Sequence, residues 1–279
     1  LFFSALTNQH GRELWKSDGT ANGTVRLTDV TEGRGELEPT HLTNFGGTLY
    51  FRGQGDDYNV TLWKSDGTVA GTGSVFSDLP EDLIFFRDLV QADGHLFFTV
   101  HEFGLAVSDG TAAGTFAVSE GLEDIGLAND DDFGKSFAVV NGSLFFASYD
   151  GNSIELFRTT TTPPLPTEPH LLLDLSPGPD SSFVSDFLSF DGVTYFAAST
   201  NETGQSLWRT DGTAEGTQIV HGFVDPSHFY GLGELERVND AFYFNANDGV
   251  HGYELWKSDG TSANTVLVKD ITPQIEGRD

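Results

Sequence analysis

Short runs of large apolar residues, most of them aromatic, recur along the chain, and the stretches between them are polar, glycine-rich or acidic. The runs GGTLYFRG at Gly46, DGHLFFTV at Asp93, NGSLFFAS at Asn141, DGVTYFAA at Asp191 and NDAFYFNA at Asn239 each open on a Gly- or Asn/Asp-bearing turn. β-forming residues follow the turn, which is a hairpin signature. A further apolar run lies upstream, as in SSFVSDFLSF and KSFAVV, and another ends each period, as in TVRLTDV, TQIVHGFV and TVLVKDI. None of these stretches carries the 3.6-residue periodicity of an amphipathic helix. The pattern predicts four strands per period and no helical solenoid.

The period is defined by the third strand. It reads ELWKSDGTANGT at Glu13, TLWKSDGTVAGT at Thr61, SLWRTDGTAEGT at Ser206 and ELWKSDGTSANT at Glu254. GLAVSDGTAAGT at Gly104 keeps the DGT without the Trp, and ELFRTTTTPPLP at Glu155 keeps only the apolar strand. The Trp-equivalent positions are Trp15, Trp63, Ala106, Phe157, Trp208 and Trp256, at spacings of 43 to 51 residues. Six four-stranded units of that length predict an all-β fold, a six-bladed β-propeller formed as one domain over 1–279. The predicted repeat units are 1–37, 38–80, 81–122, 123–178, 179–226 and 227–279. The chain begins at the second strand of a blade, so the first blade is expected to lack its inner strand or to be split between the termini. Only TPQIEGRD at the end is left to supply that strand.

Within the third strand Leu and Trp alternate in direction, so both faces of a blade can be apolar, with the Trp ring filling the wedge between neighbours. The Asp of the following turn is suited to accept backbone N–H bonds and the Gly to adopt positive φ. Asp18, Asp66, Asp109, Asp211 and Asp259 are therefore read as turn-forming. Catalysis by them is excluded, because equivalent positions in separate blades do not converge on one substrate.

Charge narrows the partners. With 14 Lys+Arg against 42 Asp+Glu, the net charge of −28 repels nucleic acid and anionic membranes and leaves cations, basic partners and neutral sugars. No apolar stretch has the length of a membrane span. There is no Cys, hence no disulfide or thiolate chemistry, and no Met. The chain opens directly on LFFSAL and is expected to be a processed or excerpted piece of a longer protein.

The runs NDGVHGYELWKSDGT, QHGRELWKSDGTANGT and WRTDGTAEGT resemble the ELWxxDGTxxGT repeats of large exported bacterial proteins. That resemblance spans nearly the whole chain and implies a β-propeller in an extracellular or cell-surface setting. It implies no defined activity, and the copies at Gly104 and Glu155 depart from it.

Function is expected in the connections that do not repeat, at the opposite end of the sheets from the DGT turns. His101 and Glu102 in TVHEFG, and Asp225, His228 and Tyr230 in DPSHFYG, are candidate ligand-binding residues. Asp130, Asp131 and Asp132 form a weak candidate Ca²⁺ site without the spacing of an EF-hand loop. His10 and His251 occupy one repeated position ahead of ELW and are read as turn residues rather than metal ligands. Two functions stay open: a module that binds a glycan or protein or packs in a larger assembly, and a polysaccharide lyase or hydrolase with convergent acids on the variable loops.

Overall fold

The structure is a computed structural model that describes residues 1–29, 37–55, 60–76, 86–100, 104–118, 136–165, 169–223 and 232–271, without the side chains of residues 86 and 87. It divides into two compact units, Leu1–Glu123 and Asp124–Asp279. Among the described residues there is no α-helix, and every sheet is an antiparallel meander in chain order.

The first unit holds three sheets. Blade 1 has three strands, β1 (Phe2–Thr7), β2 (Gly11–Lys16) and β3 (Val25–Arg26). Blade 2 has β4 (Thr40–Phe45), β5 (Thr48–Gln54), β6 (Val60–Ser65) and β7 (Thr72–Ser74), and blade 3 has β8 (Phe86–Ala92), β9 (His95–Val100), β10 (Gly104–Ser108) and β11 (Thr115–Ala117). The second unit holds blade 4, with β12 (Ala138–Val140), β13 (Ser143–Tyr149), β14 (Ile154–Thr160) and β15 (His170–Leu173). Blade 5 follows with β16 (Ser185–Phe190), β17 (Val193–Thr200), β18 (Gly204–Thr210) and β19 (Gln218–Gly222). Blade 6 has β20 (Leu232–Val238), β21 (Ala241–Asn247), β22 (Tyr253–Ser258) and β23 (Val266–Lys269). Six blades match the repeat count. Blade 1 lacks its first strand among the described residues, and TPQIEGRD lies outside them.

Strand alternation sets how blades pack. The register places Phe51 opposite Trp63, Phe196 opposite Trp208 and Phe244 opposite Trp256. These pairs form one apolar face, and the Leu of the third strand points to the other. In the first unit Leu14 meets Phe51 and Trp63 of blade 2, and Tyr50 and Leu62 meet Phe98 and Ala106 of blade 3. In the second, Leu156 and Phe145 meet Phe196 and Trp208, while Tyr195 and Leu207 meet Phe244 and Trp256. The leading face carries Phe and Trp in blades 1, 2, 5 and 6, with Ala106 and Phe157 in the Trp place in blades 3 and 4, and the trailing face carries the third-strand Leu beside a Phe or Tyr. Leu14, Leu62, Leu105, Leu156 and Leu207 are all 0–1% exposed. Truncating one of them to Ala removes about 2–5 kcal/mol, through lost transfer energy and the cavity left behind.

Polar bonds join the same faces. Lys16 Nζ donates to the Gly67 carbonyl of the next blade, Tyr50 Oη to Gly110 O at 3.2 Å, and Arg158 Nη1 to Gly212 O at 2.7 Å. The acceptor is each time the Gly of a DGT turn. A Cβ built on Gly110, at φ +90°, would lie 2.3 Å from Tyr50 Oη, so both the close approach and the backbone conformation require Gly there.

Candidate functional site

The two ends of each sheet differ in chemistry. At the DGT end, the turn Asp accepts from the Thr two residues on: from its N–H at 2.8–2.9 Å and its hydroxyl at 2.7 Å. This holds for Asp18, Asp66, Asp109, Asp211 and Asp259 alike. A Ser or Thr before the Asp meets the last Thr of the turn at 2.6–2.8 Å, as in Ser17 with Thr24. These bonds, the Thr hydroxyl's first, hold the five carboxyls below the usual Asp range. In four turns a Gly follows whose Cβ would fall 2.0–2.2 Å from the carboxylate. The turn after β22 has Asn264 there instead. Its backbone winds into a 3-10 turn, Ser262–Asn264, and the Asn264 amide donates to Asp259 Oδ2 at 2.6 Å.

The opposite end is built on bulges. Where the first strand starts, register breaks between Thr40 and Thr43, Phe86 and Leu89, Ser185 and Leu188, and Gly233 and Glu236. Bulges bend a strand and re-aim its side chains. His41, Asp88, Asp186 and Glu234 occupy one equivalent position inside them, five residues ahead of the turn to the second strand, and Ser136 holds it in blade 4. His41, Asp186 and Glu234 have φ of +55°, +54° and +59°, left-handed values that cost non-Gly residues about 1 kcal/mol or more.

In the first unit β4 packs beside β8. His41 Nε2 lies 3.0 Å from Asp88 Oδ1, and His41 Nδ1 lies 3.1 Å from Thr40 Oγ1. Hydroxyl, imidazole and carboxylate form a continuous chain, with the His and Asp side chains 32% and 20% exposed. In the second unit β16 packs beside β20. There Asp186 is buried, accepting from the Glu234 N–H at 2.8 Å and the Ser185 hydroxyl at 3.1 Å, while Glu234 is exposed. Each unit therefore presents hydrogen-bonding groups on its first strands, anchored from blade to blade.

A third feature belongs to this end. Glu155 is fully buried where β14 begins. Its Oε2 accepts from Leu175 N at 2.9 Å and Ser182 Oγ at 2.7 Å, and its Oε1 from Ser153 Oγ at 3.1 Å. Burial outweighs these bonds and pushes its pKa up. It stitches blade 4 to the segment leading into blade 5.

Among residues singled out from the sequence, His101, Glu102, Asp130, Asp131, Asp132, Asp225, His228 and Tyr230 lie outside the described residues. His10 and His251 sit in equivalent turns but bind different carboxylates. His10 Nδ1 is 3.2 Å from Asp29, and His251 Nδ1 is 2.7 Å from Asp248, whose bond raises the His251 pKa. Among the described residues no group of three or more His, Asp or Glu is placed to hold a metal ion. The bulge residues were not picked out from the sequence. Their signal there is a polar residue five positions ahead of the turn to the second strand, followed directly by Leu or Phe.

No protein-family model and no curated protein matches the sequence. Solved structures do match in fold. The computationally designed Ika8 protein is 13% identical with a TM-score of 0.54, over 96% of this chain and 70% of that one. A puromycin-hydrolyzing peptidase of Mycobacterium tuberculosis is 14% identical with a TM-score of 0.59, over 96% of this chain and 43% of that one. A puromycin hydrolase complexed with PGG is 13% identical with a TM-score of 0.57, over 96% and 44%. The chain thus spans less than half the length of the two hydrolases. At these identities the likeness is one of fold, a six-bladed β-propeller.

Proposed function

We propose that this chain is a binding module: a propeller of the ELWxxDGTxxGT type, from an exported or cell-surface protein, that recognises a glycan or a protein. The observation that carries the reading is the bulge position itself. The bulge recurs in four blades while its side chain changes, as His41, Asp88, Asp186 and Glu234, and Ser136 stands at the equivalent sequence position in blade 4. A turn residue needed for folding repeats its identity, as the five Asp do. A position that repeats its backbone and varies its side chain supplies recognition on a fixed scaffold. Imidazole, carboxylate and hydroxyl groups suit the hydroxyls of a neutral sugar or the basic and polar groups of a protein. The net charge of −28 disfavours anionic glycans.

A glycan array on the purified chain, repeated with His41→Ala and Glu234→Ala, tests this reading. Binding by the parent that both variants weaken supports it; binding untouched by either refutes these positions as the contact surface.

Hydrolysis is the second reading, favoured by the Thr40–His41–Asp88 chain, since a hydroxyl bonded to an imidazole that is oriented by a carboxylate has the makings of an activated nucleophile. Polysaccharide breakdown by the parent but not by His41→Ala would support it.

A further inference from the structure

Two kinds of buried polar atom stand without a hydrogen bond on the leading faces of blades 2 and 5, and they occur as a pair. The indole Nε1 of Trp63 and that of Trp208 are closed off from solvent and have no partner among the described residues. Two residues earlier on the same strand stands a hydroxyl, that of Thr61 or Ser206, at 3% and 0% exposure. Thr61 Oγ1 and Ser206 Oγ are equally closed off and equally unpartnered. Alternation along a strand puts residues two apart on one face, so each hydroxyl shares a face with its indole. Native interiors rarely leave such atoms unbonded, because each gives up its bonds to solvent and gains none in return.

The packing at Gly53 brings the pair together in blade 2. Gly53 is the register partner of Thr61, as Phe51 is of Trp63. A Cβ built on Gly53 would lie 2.8 Å from Trp63 Cδ1 and 3.1 Å from Trp63 Cγ. Cδ1 is bonded to Nε1, so the nitrogen-bearing ring lies over Gly53, directly across the ladder from Thr61. In blade 5 Ala198 pairs with Ser206 in the same register. Blade 1 adds a third atom from the facing side. A Cβ on Gly67 of blade 2 would lie 3.4 Å from Phe2, so Phe2 and Ser4, two residues on, both face blade 2, and Ser4 Oγ is buried without a partner. Blades without this Trp supply the contrast. Blade 3 has Ala106 preceded by Gly104, so neither polar atom exists there. Blade 4 has Phe157, and the oxygens of Glu155 two residues earlier accept from Ser153, Leu175 and Ser182. In blades 1 and 6 the place ahead of the Trp holds Glu13 and Glu254, which have interactions of their own.

We propose that Trp63 with Thr61, and Trp208 with Ser206, each bind one structural water molecule. The first site lies where blade 2 packs on blade 1 and the second where blade 5 packs on blade 4, so each is built within one unit. The indole N–H donates to the water oxygen, and the water donates to the hydroxyl oxygen of the same strand. In the first unit its second hydrogen goes to Ser4 Oγ of blade 1. A buried water needs two to four polar partners, which these groups supply. Water fits where a cation does not, because the groups are neutral and an indole N–H is a donor only. The Trp thus serves the wedge twice, its ring filling the apolar space and its N–H anchoring the water. The inference is independent of what the bulged strands bind.

Two measurements test it. A high-resolution crystal structure of the parent chain should show an ordered water within about 3.2 Å of both Trp63 Nε1 and Thr61 Oγ1, and another between Trp208 Nε1 and Ser206 Oγ. An indole without such a water overturns the proposal for its site. The second measurement is denaturant unfolding of Thr61→Val and Ser206→Ala, which remove the hydroxyls and keep the strands. A hydroxyl bonded to a held water stabilises the fold, so each variant should unfold at a lower midpoint than the parent. A buried hydroxyl with no partner is a burden on the fold, and its removal raises the midpoint. A raised or unchanged midpoint therefore overturns the proposal, and an unchanged circular dichroism spectrum will show that the variants fold.

Discussion

At the DGT end of the sheets five turns repeat one solution, an Asp with two bonds from a Thr and a hydroxyl clasp beside it. At the other end the first strands repeat only a backbone distortion, and the side chain placed on it changes from blade to blade. The Asp and Thr bonds of the first end close within about eight residues, and what reaches it from the preceding blade is a single bond to the turn glycine's carbonyl, as at Gly67, Gly110 and Gly212. The second closes them across blades, as in His41 with Asp88 or Asp186 with Glu234. Repetition thus marks where folding constrains identity, and variation over fixed geometry marks where identity is free to serve recognition.

The largest expected effect comes from filling the space that a turn leaves for its neighbour. Gly110→Ala forces a Cβ against the Tyr50 hydroxyl at a φ of +90° and should cost on the order of 3 kcal/mol in denaturant unfolding. A cost near zero would mean that the close approach is not needed.

Next is Glu155, a repeated residue that works at the variable end. Glu155→Ala orphans the Leu175 N–H and takes one of its two acceptors from the Ser182 hydroxyl, which keeps the Ile154 carbonyl, and should cost about 2 kcal/mol. Loss of less than half that amount would show that those groups find other partners.

Acid and base should separate the two ends more gently. The turn aspartates are held below their ordinary 3.8, so their contribution is present above that value and is lost as pH falls through the lowered folded pKa. Glu155 is raised above its ordinary 4.5, so its contribution is present below that value and is lost as pH rises through the raised folded pKa. Thermal midpoints against pH should therefore show a shallower acid limb for Asp18→Asn and a flatter upper limb for Glu155→Gln. Parallel curves for the parent and both variants would contradict the assignment.

The smallest effect on stability belongs to the bulges. His41→Ala removes a pair that is a third exposed and should shift stability by less than about 1 kcal/mol. Ligand binding, read on the same sample, should fall at least several-fold. A large loss of stability with binding intact would reverse the comparison drawn between the two ends.

Strand order, blade count and turn chemistry were legible because each rests on neighbours in the chain. An aromatic after a Gly turn, a Leu–Trp alternation and an Asp two residues before a Thr carry their structure with them. The bulges were less legible. Residues such as His41 and Asp186 sit inside runs that otherwise read as strand, and their partners come from another blade about fifty residues away. Glu155 was read only as a letter of the repeat, because burial of a carboxylate depends on what the preceding loop and the next blade lay over it.

ELWKSDGT occurs twice, letter for letter, at Glu13 and Glu254. In both copies it makes a strand and an Asp-centred turn with the same two Thr bonds. Those outcomes follow from local pattern and propensity. Yet Leu14 is 0% exposed and Leu255 is 42% exposed. Burial on a trailing face is conferred by the blade that lies against it, and no stretch of eight residues can encode its neighbour. The chain's own pattern determined the unit and its count; packing between units of the repeat decided which faces are covered, which carboxylates are buried and which polar groups bond from blade to blade.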